Sequence, residues 1–190
     1  MAAMIISFKK EMKTAPNFNS IGDAKKYVDD YLAYLNRKHA QTLLIVMLKH
    51  FGFSDVEIEL YRRKWRLYSR KKGRIVPPEE FAPYAFYVFK VDYFFKLVAS
   101  QELVPTGKKS KSYIDLQYIY YLPFCMCFAS KDKFHKKVAP LFMETDQSFV
   151  WGDDLKADLS NIHDHLSADS GAEYDGRHGR WQKGEARQVP

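Results

Sequence analysis

Cysteine is nearly missing: Cys125 and Cys127 are the only two in 190 residues. Two residues apart in an apolar run, they share one face of a strand too close along the chain for an ordinary disulfide. Two thiols alone do not make a zinc site either. Buried free thiols of a cytoplasmic protein are expected. No apolar run is long enough to cross a bilayer, because the most hydrophobic stretch, residues 81–98, is broken by Lys90, Asp92 and Lys96. The first eight residues are weakly apolar and only then basic, the reverse of a secretory leader. Glycine is sparse, nine residues, and nowhere builds a phosphate-cradling loop or a dinucleotide fingerprint. The expectation is a soluble chain with no membrane partner.

Acid is the other shortfall. Thirty Lys and Arg face 23 Asp and Glu, a formal net charge of +7. Net charge bears on partners rather than on fold, so its distribution matters more. Residues 61–74 hold eight cations and no acid. Lys108, Lys109 and Lys111 form a second cluster, and Lys131, Lys133, Lys136 and Lys137 a third. Such runs suit a phosphate-bearing partner or an acidic protein. Aromatic residues make up 16% of the chain, a content foreign to disordered chains, so one folded domain is expected.

Ile21, Ala24, Val28, Tyr31 and Leu35 recur at helical spacing, predicting an amphipathic helix over 20–38 capped by Ser20. The apolar run 43–48 within residues 41–53 fits a buried strand or a second helix stopped at Gly52, and the helix is the favoured reading. Ser54 and Glu57 form a capping box ahead of a third. Its apolar stripe is Ile58, Tyr61, Trp65 and Tyr68; Arg62, Arg66 and Arg70 lie on a neighbouring face, and Gly73 is its stop. Pro77 and Pro78 mark an extended segment. A central helix over 79–101 is apolar almost all round, hence buried, with Asp92 and Lys96 as an i, i+4 ion pair. A lysine-rich loop, 106–112, leads to a short helix capped by Ser112 and carrying Asp115. Beyond Leu122-Pro123, residues 124–129 read as a buried strand, followed by a basic helix at Asp132. Leu155, Leu159, Ile162 and Leu166 mark a last helix from about Asp153. The fold class is a helix-rich α/β single domain, residues 1–167, with a small parallel sheet and a disordered tail over 168–190.

A carboxylate at the C-terminal end of a strand sits where open α/β sheets place their ligands, and Asp132 holds that position. Asp115, on the preceding helix, can share a hard cation with it, since Mg²⁺ takes carboxylate oxygens and activates water. Either acid also has a structural role open to it, as a capping or first-turn residue. His163 and His165, two apart on a helix, point in different directions and do not share an ion with Asp153 and Asp154. His135 reads as a surface histidine, and Tyr118, Tyr120 and Tyr121 as packing residues.

The order of an Asp115 helix, a Leu-Pro-Phe break, an apolar strand, Ser130-Lys131-Asp132 and a further helix resembles the PIN-domain family. The likeness covers roughly residues 75–141 and concerns that family's C-terminal half. It implies a PIN-like, metal-dependent nuclease that acts on RNA rather than DNA with Mg²⁺ or Mn²⁺. Asp115 and Asp132 match the family's late acids and are implied as catalytic metal ligands. Glu80, behind the proline-containing segment, matches a third. Lys131, Lys133, Arg62, Arg66 and Arg70 would then draw the substrate's phosphates. The family's first-strand aspartate has no counterpart before Lys72, which implies a divergent or truncated member. The competing expectation is a non-catalytic basic module that binds nucleic acid or an acidic partner protein.

Overall fold

A computed structural model describes residues 15–103 and 109–169. Five helices come first: α1 (Ile21–Lys38), α2 (Ala40–His50), α3 (Asp55–Lys71), α4 (Pro78–Phe81) and α5 (Pro83–Ser100). Then follow α6 (Lys109–Ile119), β1 (Cys127–Ser130), α7 (Lys133–Val138), β2 (Ser148–Trp151) and α8 (Gly152–Asp169). The two strands pair in parallel, Cys127 opposite Ser148 and Ser130 opposite Trp151. The chain is therefore helix-rich α/β with a small parallel sheet, as expected, and α7 forms the crossover. The tail from 170 onward lies outside the described residues, as do residues 1–14; α8 itself runs through Asp169. Among the described residues, no helix is long and apolar enough to cross a membrane.

Local chemistry accounts for most helix ends. The Ser20 hydroxyl accepts the Asp23 N–H at 3.1 Å. Ser54 and Glu57 close a full capping box: the Ser54 N–H donates to the Glu57 carboxylate at 2.8 Å, and the Glu57 N–H donates back to Ser54 Oγ at 3.4 Å. The Ser54 hydroxyl, which also donates to the Glu57 carboxylate at 2.7 Å, and then the Ser54 N–H hold that carboxyl below the usual range. Beyond α3, Gly73 takes φ +66°, a left-handed turn that other residues resist. The segment behind it is fastened by Trp65, a buried indole whose Nε1–H donates to the Val76 carbonyl at 2.7 Å.

Helix α5 is the centre of the core. Phe89, Val91, Tyr93, Phe94, Leu97 and Val98 are all but completely buried, and α5 packs against α1, α2 and α6. Tyr87 ties α5 to α6 by donating to the Ile119 carbonyl at 2.7 Å.

Several sequence expectations need correction. The central helix is two helices: Ala82 leaves helical space at φ −144°, ψ 69°, because Pro83 crowds the residue before it and opens α5. Ser112 is not a cap, since α6 begins at Lys109 and Ser112 lies inside it. The apolar run after Pro123 is not a buried strand. Leu122–Phe124 is a 3₁₀ turn, β1 starts only at Cys127, and Phe124 and Met126 are 69% and 76% exposed. With two strands, little is present to cover them. The thiols follow suit: Cys125 is half-buried and Cys127 exposed.

Candidate functional site

The end of β1 is built around His135, which is buried at 5% exposure and not on the surface. Its Nε2 lies 2.8 Å from the Asp115 backbone carbonyl. A carbonyl only accepts, so Nε2 carries the proton and Nδ1 is left as an acceptor. Ser130 Oγ stands 2.8 Å from Nδ1 and donates to it. The same Oγ accepts the Asp132 N–H at 3.1 Å. Asp132 is the cap of α7, its Oδ1 accepting the Phe134 N–H at 2.6 Å. Both ring nitrogens are thus partnered, and Ser130-Lys131-Asp132 serves as the turn that launches α7 and locks it to α6. Phe128 and Tyr118 set their rings edge-on to His135 at 5.3 and 5.7 Å.

The predicted acids are only partly brought together. Asp115 and Asp132 flank the same histidine, one through its carbonyl and one three residues before it. The Asp115 carboxylate makes no hydrogen bond or ion pair among the described residues, nor does Oδ2 of Asp132. Glu80 is spent elsewhere, in an ion pair with Arg74. Among the described residues no group of three or more His, Cys, Asp or Glu could hold a metal ion. Asp115, Asp132 and Glu80 therefore do not form a three-acid ligand set.

The cations sort into paired and unpaired. Glu59, just ahead of the acid-free stretch, receives Arg62 at 2.7 Å, Arg66 at 2.8 Å and Arg63 at 3.4 Å. Burial pushes the Glu59 carboxyl up, but these guanidinium groups outweigh it and hold it below the usual range. Of the arginine face, only Arg70 has no acidic partner among the described residues. Lys131 pairs with Asp153 at 2.5 Å. On α7, Lys136 lies over the Trp151 ring at 4.5 Å, while exposed Lys133 and Lys137 have no ion pair among the described residues. Lys108 lies outside the described residues, as do the side chains of Lys109 and Lys111.

The tyrosines divide against expectation. Tyr118 and Tyr121 are 55% and 63% exposed, which a packing role alone does not explain. Phe124 joins them, its ring 4.9 Å from that of half-exposed Tyr84. Tyr120 is the inward one and donates to Asp92 Oδ1.

The direct Asp92–Lys96 pair that the i, i+4 spacing predicts does not form; His50 stands between them. His50 Nε2 donates to Asp92 Oδ2 at 2.7 Å, and Lys96 Nζ donates to His50 Nδ1 at 3.2 Å. Burial pushes the Asp92 carboxyl up, but the bonds from His50 and Tyr120, with the charge of Lys96 behind them, leave it below the ordinary value. Elsewhere an open groove of about 800 Å³ runs between α1, α2 and the 75–79 segment. Its buried Asn36 donates to Glu79 at 3.1 Å. No protein-family model, no curated protein and no solved structure matches this chain.

Proposed function

We propose that this protein is a non-catalytic module that binds single-stranded nucleic acid, RNA foremost, on the surface made by α7 and the end of α6. One observation carries the reading: Tyr118, more than half exposed, stands edge-on to His135 of the short helix that presents Lys133 and Lys137. Exposed aromatic faces beside unpaired cations are what unstacked bases and their phosphates need. Stacking is worth about 1–3 kcal/mol per base, and lysines add a salt-sensitive term. The α3 face contributes less, because Glu59 already holds Arg62 and Arg66.

The test is fluorescence anisotropy with a labelled oligouridine at low salt. Lys133→Glu/Lys137→Glu and Tyr118→Ala should each weaken binding about tenfold, the equivalent of one lost stacking contact. Equal affinity in all three proteins would overturn the proposal. An acidic protein partner would use the same lysines without the ring, so loss with the lysine pair alone points there.

The second reading is a metal-dependent ribonuclease, supported by the Asp115 backbone carbonyl meeting His135 and by Asp132 capping the helix that carries that histidine. Here Mg²⁺ or Mn²⁺ would sit between these carboxylates, without Glu80, and activate water. Calorimetric titration of Mn²⁺ separates the two. Binding that disappears in Asp115→Asn/Asp132→Asn, together with Mn²⁺-dependent cleavage of the oligonucleotide, selects the nuclease. No heat in either protein selects the binding module.

A further inference from the structure

The groove between α1, α2 and the 75–79 segment is formed by elements other than α6 and α7. Its volume of about 800 Å³ is that of a small-ligand pocket. Trp65, Ile75 and Pro77 give it an apolar wall. Asn36, only 8% exposed, lines it and donates through Nδ2 to the Glu79 carboxylate at 3.1 Å. A carboxylate only accepts, so this bond fixes which end of the amide faces Glu79. Asn36 Oδ1 is then buried with no hydrogen-bond partner among the described residues. A buried acceptor left unmatched is costly, and it calls for an N–H from elsewhere. On the same groove α2 begins without a side-chain cap, and Ala40 and Gln41 of its first turn line the wall. Arg37 and Lys38 line it too, neither with an acidic partner among the described residues. Both also complement the dipole at the end of α1. That role explains neither the orphaned Oδ1 nor the uncapped start of α2.

We infer that this groove binds a guanine nucleotide. The site makes two demands of a ligand: N–H donors at Asn36 and Glu79, and an anion at the start of α2. Guanine carries its ring N1–H and its exocyclic amino group side by side on one edge. One donor suits a carboxylate oxygen of Glu79, and the other suits Asn36 Oδ1. Adenine would turn the lone pair of a ring nitrogen toward the same two acceptors. The faces of the base suit the apolar wall of Ile75 and Pro77. The phosphate takes the N–H groups that open α2 and the charges of Arg37 and Lys38, as helix starts bind anions elsewhere. Inorganic phosphate alone would satisfy the cations and leave Asn36 unpaired. The site uses no residue of the α7 surface, so it stands whether or not that surface binds RNA.

Isothermal calorimetry of the full chain with guanosine monophosphate tests the inference, with adenosine monophosphate and inorganic phosphate as comparisons. The guanine nucleotide should bind with a Kd between about 10 and 500 µM, the range open to a ligand of its size. The adenine nucleotide should bind at least about tenfold more weakly, because unpaired polar groups are what discriminate. Glu79→Gln keeps an acceptor for Asn36 but turns a donor toward the base, and should weaken binding at least about tenfold. Arg37→Ala/Lys38→Ala should weaken it to a similar degree through the phosphate. All three side chains are exposed, so circular dichroism of both variants should match the wild type. Lys133→Glu/Lys137→Glu should bind the nucleotide unchanged, which keeps this result separate from loss of oligouridine binding. No heat with the guanine nucleotide at about 1 mM overturns the inference. So does equal affinity in Glu79→Gln. Equal affinity for the adenine nucleotide overturns the guanine assignment, and equal affinity for phosphate reduces the groove to an adventitious anion site and overturns it as well.

Discussion

A carboxylate buried to 6% exposure, such as that of Asp92, is costly to desolvate unless every lone pair finds a donor. His50 and Tyr120 supply the donors from α2 and from beyond α6, so the same acid ties two parts of the fold to α5. Removing the charge leaves both donors facing a weaker partner, and Asp92→Asn should cost about 3 kcal/mol. That corresponds to a fall in Tm of roughly 10 °C for a chain of this size. The sign of the pH effect follows from the depressed carboxyl. Its stabilisation is fully present above the unfolded value, near about pH 4, and is lost as pH falls through the lower folded value. Thermal melts from pH 2 to 7 check this: the wild type should lose stability below about pH 4 more steeply than Asp92→Asn. Parallel acid limbs would show that Asp92 is not the group responsible. None of this pairing was legible in the sequence, where Lys96 four residues on was the natural partner. His50 is 42 residues away, and only the packing of α2 on α5 reveals it. His135 was misread for the same reason, its two partners standing 5 and 20 residues off.

At the scale of elements, what repeats was readable and what closes in space was not. Helices α1, α3 and α8 announced themselves by apolar period, and α1 and α3 also by their capping residues. β2 did not, because Ser148–Trp151 is four residues long and lacks alternation. Without β2, the β1–α7–β2 unit could not be drawn, nor the contact that Gly152 makes just after it. A Cβ on Gly152 would fall 2.5 Å from Lys131 Cγ and 3.4 Å from its backbone nitrogen. The obstruction is a side chain, not the backbone, so it can yield, but only by leaving Asp153. Crowding of this kind costs about 1–3 kcal/mol, and the lost surface pair adds less than about 1. Against that, alanine gains about 1 kcal/mol over glycine within a helix. Gly152→Ala should therefore destabilise by about 1 kcal/mol in the wild type. In a Lys131→Ala background, with the offending carbon gone, the same change should be neutral or stabilising. A double-mutant cycle by urea denaturation measures the difference, and additivity would disprove the contact.

For the whole molecule, the net charge of +7 overstates what a polyanion can use. The eight cations at 61–74 looked from sequence like the stronger patch. Folding narrows the gap, since Glu59 gathers three of them and Glu80 takes Arg74, which leaves Lys64, Arg70, Lys71 and Lys72 without an ion pair among the described residues. The third cluster, which looked smaller, keeps Lys133 and Lys137 unpaired among the described residues and lies beside the exposed Tyr118. Lys136 stands over Trp151, and Lys131 is shared with Asp153. Counterion release converts this partition into a measurable slope. Each phosphate neutralised on a single strand contributes about −0.7 to the dependence of log K on log salt. Two to four usable lysines predict a slope of about −1.5 to −3, whereas seven charges acting together would give about −5. Oligouridine affinity measured between 50 and 300 mM salt decides between them. Lys133→Ala should flatten the slope by about 0.7, and Arg62→Ala should leave it unchanged, because that guanidinium is held against Glu59 on α3, away from the proposed surface. A slope near −5 that Arg62→Ala reduces would move the binding surface from α7 to α3.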